Sequence, residues 1–163
     1  MTGYGDDGLA GQLRAAGAAD VDLLVELMTE FYAEADFRLD AERAGAAFDE
    51  LLGSPSLGRV WIAEVDGRAA AYVVLTLGYS MEYGGRDAFV DDLFVRPAFR
   101  DRGIGRLLLA EVRRACEALG VRALHLEVGR DNDPAQALYR RIGFVESGRQ
   151  LLTLQLAQPT HIE

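Results

Sequence analysis

Three groups of residues have types and spacings that could do chemistry. The first is Arg100-Asp101-Arg102-Gly103-Ile104-Gly105-Arg106, placed where an amphipathic helix should begin. Glycine weakens a helix by about 1 kcal/mol relative to alanine, so two of them at a helix start call for a compensating interaction. Glycines there let backbone N–H groups converge on one ligand, the helix N-terminus adds positive partial charge, and the arginines could meet phosphate oxygens. A tight turn with solvated arginines would have the same sequence. A P-loop would need Lys-Ser/Thr after Gly105, where Arg106-Leu107 stands, and a dinucleotide fingerprint would need a small residue at Leu108. The second group is Asp91-Asp92, two carboxylates in an otherwise apolar strand. They are costly there unless exposed, paired or functional, and strand alternation predicts that they point to opposite faces. The third is Tyr139 in Ala-Leu-Tyr-Arg-Arg-Ile-Gly-Phe, either a proton donor or a core aromatic on the stripe Ala135, Leu138, Tyr139, Ile142.

Periodicity and punctuation give the scaffold for these groups. Gln12 to Ala15 reads as a short strand. Helices are expected over Asp20 to Ala33, with Asp20 as cap, and over Ala41 to Leu52. Strands at Arg59 to Val65 and Arg68 to Leu77 flank an Asp66-Gly67 hairpin turn. The stretch GYSMEYGGRD is a loop or a bulged strand extension, and Ala88 to Val95 is the next strand. A helix over Gly103 to Leu119 carries the apolar stripe Ile104, Leu108, Val112, Ala115, Leu119. A strand over Arg122 to Val128 and a short helix capped by Asp133, with Pro134 at its first position, come next. Phe144 to Leu156 carries one or two final strands. Hairpins interrupted by helices make a mixed α/β sheet.

Bulk properties narrow the function. The 163 residues suit one domain, expected over 12–157, with a leader at 1–11 and a tail at 158–163. A net charge of −9 argues against nucleic acid as a partner. No stretch approaches the apolar length of a membrane span, and the N-terminus lacks the pattern of a signal peptide. The lone Cys116 sits on the long helix, as a buried small hydrophobe would, and is badly placed as a nucleophile. All basic side chains are arginine, which removes Schiff-base chemistry. No cluster has metal-ligand spacing, so no metal is expected. Together these signs favour a cytoplasmic location.

The run DDLFVRPAFRDRGIGRLLL followed by LHLEVGRDNDPAQALYRRIGF resembles the strand-turn-helix and strand-helix halves of GNAT-type N-acetyltransferases, and the element order from Gln12 to Leu156 fits their fold. The resemblance implies a single-domain α/β (α+β) fold: a mixed, mostly antiparallel sheet of about six to seven strands flanked by four helices. It implies acetyl-CoA as co-substrate, the pantetheine adding to the strand backbone at Leu93, Phe94 and Val95, and the pyrophosphate on Arg100, Asp101, Arg102, Gly103, Ile104, Gly105 and Arg106. Asn132 matches a position near the pantetheine. Tyr139 matches the tyrosine near the CoA sulfur, so it is expected both to bind CoA and to protonate the departing thiolate, while Asp91 and Asp92 are expected to serve the acceptor amine. DDLFV is also similar to the central strand of spermidine/spermine acetyltransferases.

In such enzymes the first two helices and the GYSMEYGGRD region build the acceptor pocket. Phe31, Tyr32, Tyr79, Glu82 and Asp91 are therefore expected to bind substrate, a small cationic amine suited by aromatics and carboxylates. A protein N-terminus, an amino sugar or an antibiotic is the alternative acceptor. A non-catalytic CoA-binding module is the alternative function. A longer acyl donor would call on Arg86 or Arg130. The alternating apolar face of Leu151 to Leu156 is either core or the interface of a homodimer.

Overall fold

Two residue patterns decide the layers. In β2 (Gly58–Val65) and β3 (Arg68–Ser80), apolar residues point alternately to both faces, so the sheet is buried on both sides. The computed structural model describes residues 12–157; the expected leader and tail lie outside the described residues. One five-stranded sheet runs in the order β1-β2-β3-β4-β5, where β1 is Leu13–Ala15, β4 is Gly85–Val95 and β5 is Ala123–Leu126. The first four strands are antiparallel, and β5 joins β4 in parallel. The Asp66-Gly67 turn connects β2 and β3 with both φ angles positive, +51° and +74°, as a tight two-residue hairpin requires.

On one face lie α1 (Val21–Glu34) and α2 (Ala41–Gly53). Leu24, Leu27 and Phe48 pack there on Val60, Ile62, Tyr72, Val74 and Phe94. The Asp40 carboxylate starts α2 by accepting the Arg43 N–H at 3.1 Å. Asp20 stands before α1 but does not cap it; its carboxylate accepts the Gly17 N–H and binds Arg14. The opposite face is covered by α3 (Ile104–Ala118), whose Ile104, Leu108, Leu109, Val112 and Cys116 pack on Trp61, Val73, Leu75, Ala88 and Val90. The Cys116 thiol is buried and pushed up by desolvation. The last helix, α4 (Asp133–Ile142), is capped by Asn132, whose side chain accepts the Ala135 N–H at 3.3 Å. The cap is one residue earlier than Asp133 because Pro134 takes the second helical position.

Of the two readings of GYSMEYGGRD the strand extension holds, while the expected strand count is corrected. β3 and β4 extend past the expected boundaries, leaving only Met81–Gly84 as a turn in GYSMEYGGRD. The sheet has five strands, not six to seven, because residues 144–157 form none. Arg149 is bound to Glu82 at 2.7 Å beside the β3–β4 turn, and no described strand runs alongside residues 150–157.

Candidate active site

The site begins with a register shift. Val74 of β3 faces Asp92 of β4, and Leu75 faces Val90, so Asp91 is an extra residue in a β-bulge. The bulge exchanges the faces of β4. Ala88 and Val90 lie on the α3 side, whereas Asp92 and Phe94 lie on the α1–α2 side. Strict alternation would have separated the two carboxylates. With the bulge, both border one cavity of about 390 Å³, walled by Met28, Phe48, Leu51, Val74 and Leu77. Asp91 also borders a second, larger cavity of about 950 Å³. It is the residue at which the two cavities meet.

The carboxylates differ in their surroundings. Asp92 is 6% exposed. Its Oδ2 accepts the Tyr72 hydroxyl at 2.9 Å and its Oδ1 the Tyr32 hydroxyl at 3.3 Å. Burial pushes its carboxyl up to about 6; the Tyr72 hydrogen bond opposes that rise and the Asp91 charge adds to it. Burial likewise raises both tyrosines, reinforced by the Asp92 charge. Asp91 is raised by desolvation and accepts no hydrogen bond from the described residues. Asp92 is thus a fixed member of a buried network, while Asp91 is free to meet a ligand.

The larger cavity exists because β4 and β5 separate. Their ladder joins Asp87–Val90 to Ala123–Leu126 and stops there. From Asp91 to Val95, β4 pairs with β3 on one edge and with no described strand on the other. Leu93, Phe94 and Val95 line this opening, with Leu138, Tyr139 and Ile142 of α4 across from them. Tyr139 is half-buried, its phenol is pushed up by desolvation, and its hydroxyl has no hydrogen-bond partner among the described residues. Asn132 and Glu127 also border the cavity. His125 does not; its Nε2 lies 3.3 Å from Asp87 and its ring between Tyr83 and Phe89.

At the end of the cavity is the glycine turn. Asp101 and Gly103 both have positive φ, +61° and +78°, which reverses the chain from the short Pro97–Phe99 turn into α3. The first intrahelical acceptor, Gly103 O, takes Leu107 N–H, and no side chain caps the helix. The amides of Gly103, Ile104, Gly105 and Arg106 are therefore available at a positive helix end. Gly105 borders the cavity, and a Cβ there would meet Leu138 and Val95 only at ordinary contact distances, 3.6 and 4.0 Å. Protein packing does not demand a glycine at this position; close approach by a ligand would.

The three arginines part company. Arg100 donates to Val95 O at 2.9 Å, pairs with Glu34 at 2.6 Å and lies over the Phe94 ring. Arg102 lies over Phe99 and donates to Ala98 O. Arg106 borders the cavity and pairs with no described carboxylate. The expected acceptor residues divide too. Phe31 stacks on Phe94 at 5.3 Å and borders the larger cavity, and Tyr32 reaches Asp92. Tyr79 and Glu82 border neither cavity; they sit at the far β3–β4 end, with Glu82 held by Arg149. Tyr72, Met28 and Phe48 join the site without any sign in sequence spacing, because their alignment with Asp92 depends on the bulge.

Residues 21–144 match the acetyltransferase (GNAT) family. The chain belongs to that family. It is 38% identical over 104 residues to the N-alpha-acetyltransferase RimI of Mycobacterium tuberculosis, covering 63% of this chain and 61% of that one. An integron cassette protein from a salt-marsh metagenome has 48% identity and a TM-score of 0.87, covering 98% of this chain and 99% of that one. The aminoglycoside N-acetyltransferase AAC(6')-Iy, solved with CoA, shares the fold at 21% identity and a TM-score of 0.72, over 89% of this chain and 99% of the other. The chain spans between 33% and 62% of the length of the first curated relatives it matches.

Proposed function

We propose that this protein is an N-acetyltransferase that moves an acetyl group from acetyl-CoA to the primary amine of a small cationic molecule, by direct attack in a ternary complex. The observation that carries this reading is the meeting of two cavities at Asp91: an open strand edge with an unsatisfied helix N-terminus on one side, and a largely apolar pocket with three carboxylates, Glu50, Asp91 and Asp92, on the other. The residues present fit CoA. The free edge of β4 can receive an extended amide chain as another strand would. The amides of Gly103 to Arg106, with Arg106 beside them, suit a diphosphate, and Gly105 leaves room for it. Asn132 borders the same passage. Arg100 acts here through Glu34 and Val95 O, holding the approach to the turn, rather than on the anion.

Bound there, acetyl-CoA supplies an acyl group already activated as a thioester. The chain supplies orientation and protons. Leu93, whose backbone polar groups face away from β3, offers its N–H to the acyl oxygen. Asp91 holds the acceptor ammonium beside a water path, along which the ammonium proton is lost to bulk solvent base before attack, since a carboxylate is a poor direct base for an amine near 10. The neutral amine nitrogen then bonds to the acyl carbon, the carbon–sulfur bond breaks, the Tyr139 hydroxyl protonates the sulfur, and the proton shed by the acylated nitrogen returns through water to the Tyr139 oxygen. Asp92 is a positioning residue that fixes Tyr72 and Tyr32 beneath the acceptor pocket. The apolar walls of that pocket favour an amine with a hydrocarbon body, polyamine-like or otherwise. The relative named as an N-alpha-acetyltransferase favours a second acceptor, a peptide N-terminus.

Free-CoA release is the test, with acetyl-CoA and a panel of spermidine, alkyl and aryl amines, aminoglycosides, amino acids and a peptide N-terminus. Release dependent on a small cationic amine is expected. Release only with the peptide would transfer the reading to the second acceptor. Binding of CoA without release across the panel would favour a non-catalytic module. Absence of CoA binding would overturn the account of the glycine turn.

A further inference from the structure

The smaller cavity carries more negative charge than one reacting amine requires. Asp91, Asp92 and Glu50 line it, and among the described residues no arginine or histidine does. Elsewhere on this side of the molecule carboxylates are taken up by arginine: Glu26 and Glu30 by Arg96, Glu34 by Arg100, Glu64 by Arg14. Asp92 is held by two tyrosine hydroxyls. The Glu50 side chain forms no ion pair or hydrogen bond with any described residue.

The carboxylates stand at opposite ends. Asp91 lies where the two cavities meet, and Asp92 is opposite Val74 of β3. Glu50 belongs to the last turn of α2. Two residues before it, Phe48 meets the Tyr72 ring edge to face at 6.4 Å. One residue after it, Leu51 Cδ1 lies 3.1 Å from where a Cβ on Gly58 would stand, and Gly58 pairs with Thr76. The adjoining Leu57 O accepts the Leu77 N–H at 2.8 Å. α2 therefore advances along β3 from Tyr72 toward Leu77, and Glu50 comes at the Leu77 end. From Val74 to Leu77 is about 10 Å of strand, and the wall between them is apolar.

That arrangement sorts ligands by charge. A single ammonium at Asp91 satisfies one end and leaves a hydrocarbon tail ending beside an unpaired carboxylate. Two ammonium groups separated by a few methylenes meet both ends and lay the methylenes on Phe48, Leu51 and Val74. An amino sugar fits poorly, because Thr76 is the one neutral side-chain hydroxyl among the described lining residues and ring hydroxyls would lose water without replacement. Glu50 is exposed and so stands at the mouth, where the far ammonium keeps part of its hydration.

We infer that the acceptor is a short alkyl diamine, one nitrogen held at Asp91 for acetylation and the other at Glu50, and that Glu50 is the residue that selects two charges over one. The inference rests on the reading of Asp91 as the partner of the reacting amine. Acetylation removes one of the two charges, so the product loses an anchor and leaves more readily than the substrate.

Steady-state acetylation of putrescine and of butylamine, which share a hydrocarbon chain and differ by one ammonium, is the test. At low salt putrescine should be favoured about tenfold in kcat/KM, the scale of one hydrogen bond to a charged group. Glu50→Gln keeps helix propensity and should bring the ratio to roughly one by raising the KM for putrescine, with kcat little changed. Asp49→Asn removes a neighbouring carboxylate that borders neither cavity and should leave the ratio as it is. Equal kcat/KM for the two amines in the unaltered chain, or an unchanged ratio in Glu50→Gln, would overturn the inference and leave acetyl transfer standing. If neither amine is acetylated, calorimetric titration of putrescine into the CoA complex reads the same site without transfer. Binding weakened about tenfold by Glu50→Gln would then support the second anchor although the transferase reading had failed, and absence of binding would overturn it.

Discussion

The two sides of β4 are built in opposite ways. Toward β3 and the first two helices the molecule is finished: Leu24, Leu27, Ile62 and Tyr72 are wholly buried, and Asp92 has a hydroxyl on each oxygen. Toward β5 and α4 it is open: neither element has a buried residue, and the β4–β5 ladder stops after four pairs. Rigidity and incompleteness are each useful in their own place. The closed half fixes the bulge that presents Asp91. The open half supplies an edge and amides that a ligand can satisfy.

The contrast is most exposed to test at the core of the closed half. Ile62→Ala should lower unfolding free energy by about 2–5 kcal/mol, whereas Leu126→Ala in half-buried β5 should cost about 1 kcal/mol in the same denaturant titration. Equal losses would mean that the open half is as well packed as the closed one. The next effect belongs to Tyr139→Phe. Its hydroxyl bonds no described group, so stability should hold while kcat falls about 100-fold, the scale of a lost general acid. Unchanged turnover would remove Tyr139 from the chemistry and leave it as a wall.

Asp92 probes the closed half through pH. Its carboxyl titrates near 6 in the fold against an ordinary value of 3.8. Between about pH 4 and 6 the folded chain keeps a proton that the unfolded chain has released, so stability falls as pH rises through that window and levels off above it. The loss from this group is on the order of 3 kcal/mol, and desolvation of Asp91 acts in the same direction. Asp92→Asn should flatten the decline in thermal midpoint between pH 4 and 6. A decline of the same steepness in the variant would show that other carboxylates set it.

What could be read from the sequence was what local spacing decides. The Asp66-Gly67 hairpin, the α3 stripe and the reversal at Arg100–Gly105 each need only a few adjacent residues, and each stands where it was expected. The Asp91 bulge depends on how β4 registers against β3, which no pattern within β4 encodes, so the shared cavity of Asp91 and Asp92 was invisible. Tyr79 and Glu82 were expected at the acceptor because the resemblance places the GYSMEYGGRD region there; extension of β3 and β4 carries them to the far end of the sheet. The terminal leucines do have strand periodicity. A strand also needs an edge to pair with, and periodicity alone does not supply one.

A finer effect separates shape from approach within the glycine turn. Gly103 has φ of +78°, and Gly105 lies inside the first turn of α3 with space for a Cβ. Gly103→Ala strains the backbone and should cost about 1 kcal/mol of stability. Gly105→Ala meets only ordinary contacts and gains helix propensity, so stability should hold or rise by up to about 1 kcal/mol. Its methyl group nonetheless projects where the diphosphate would lie, and the KM for acetyl-CoA should rise about tenfold, equivalent to about 1.4 kcal/mol, with kcat little changed. A Gly105→Ala enzyme with unaltered KM would mean that the open half does not receive its ligand at this turn, and that only Gly103 is there of necessity.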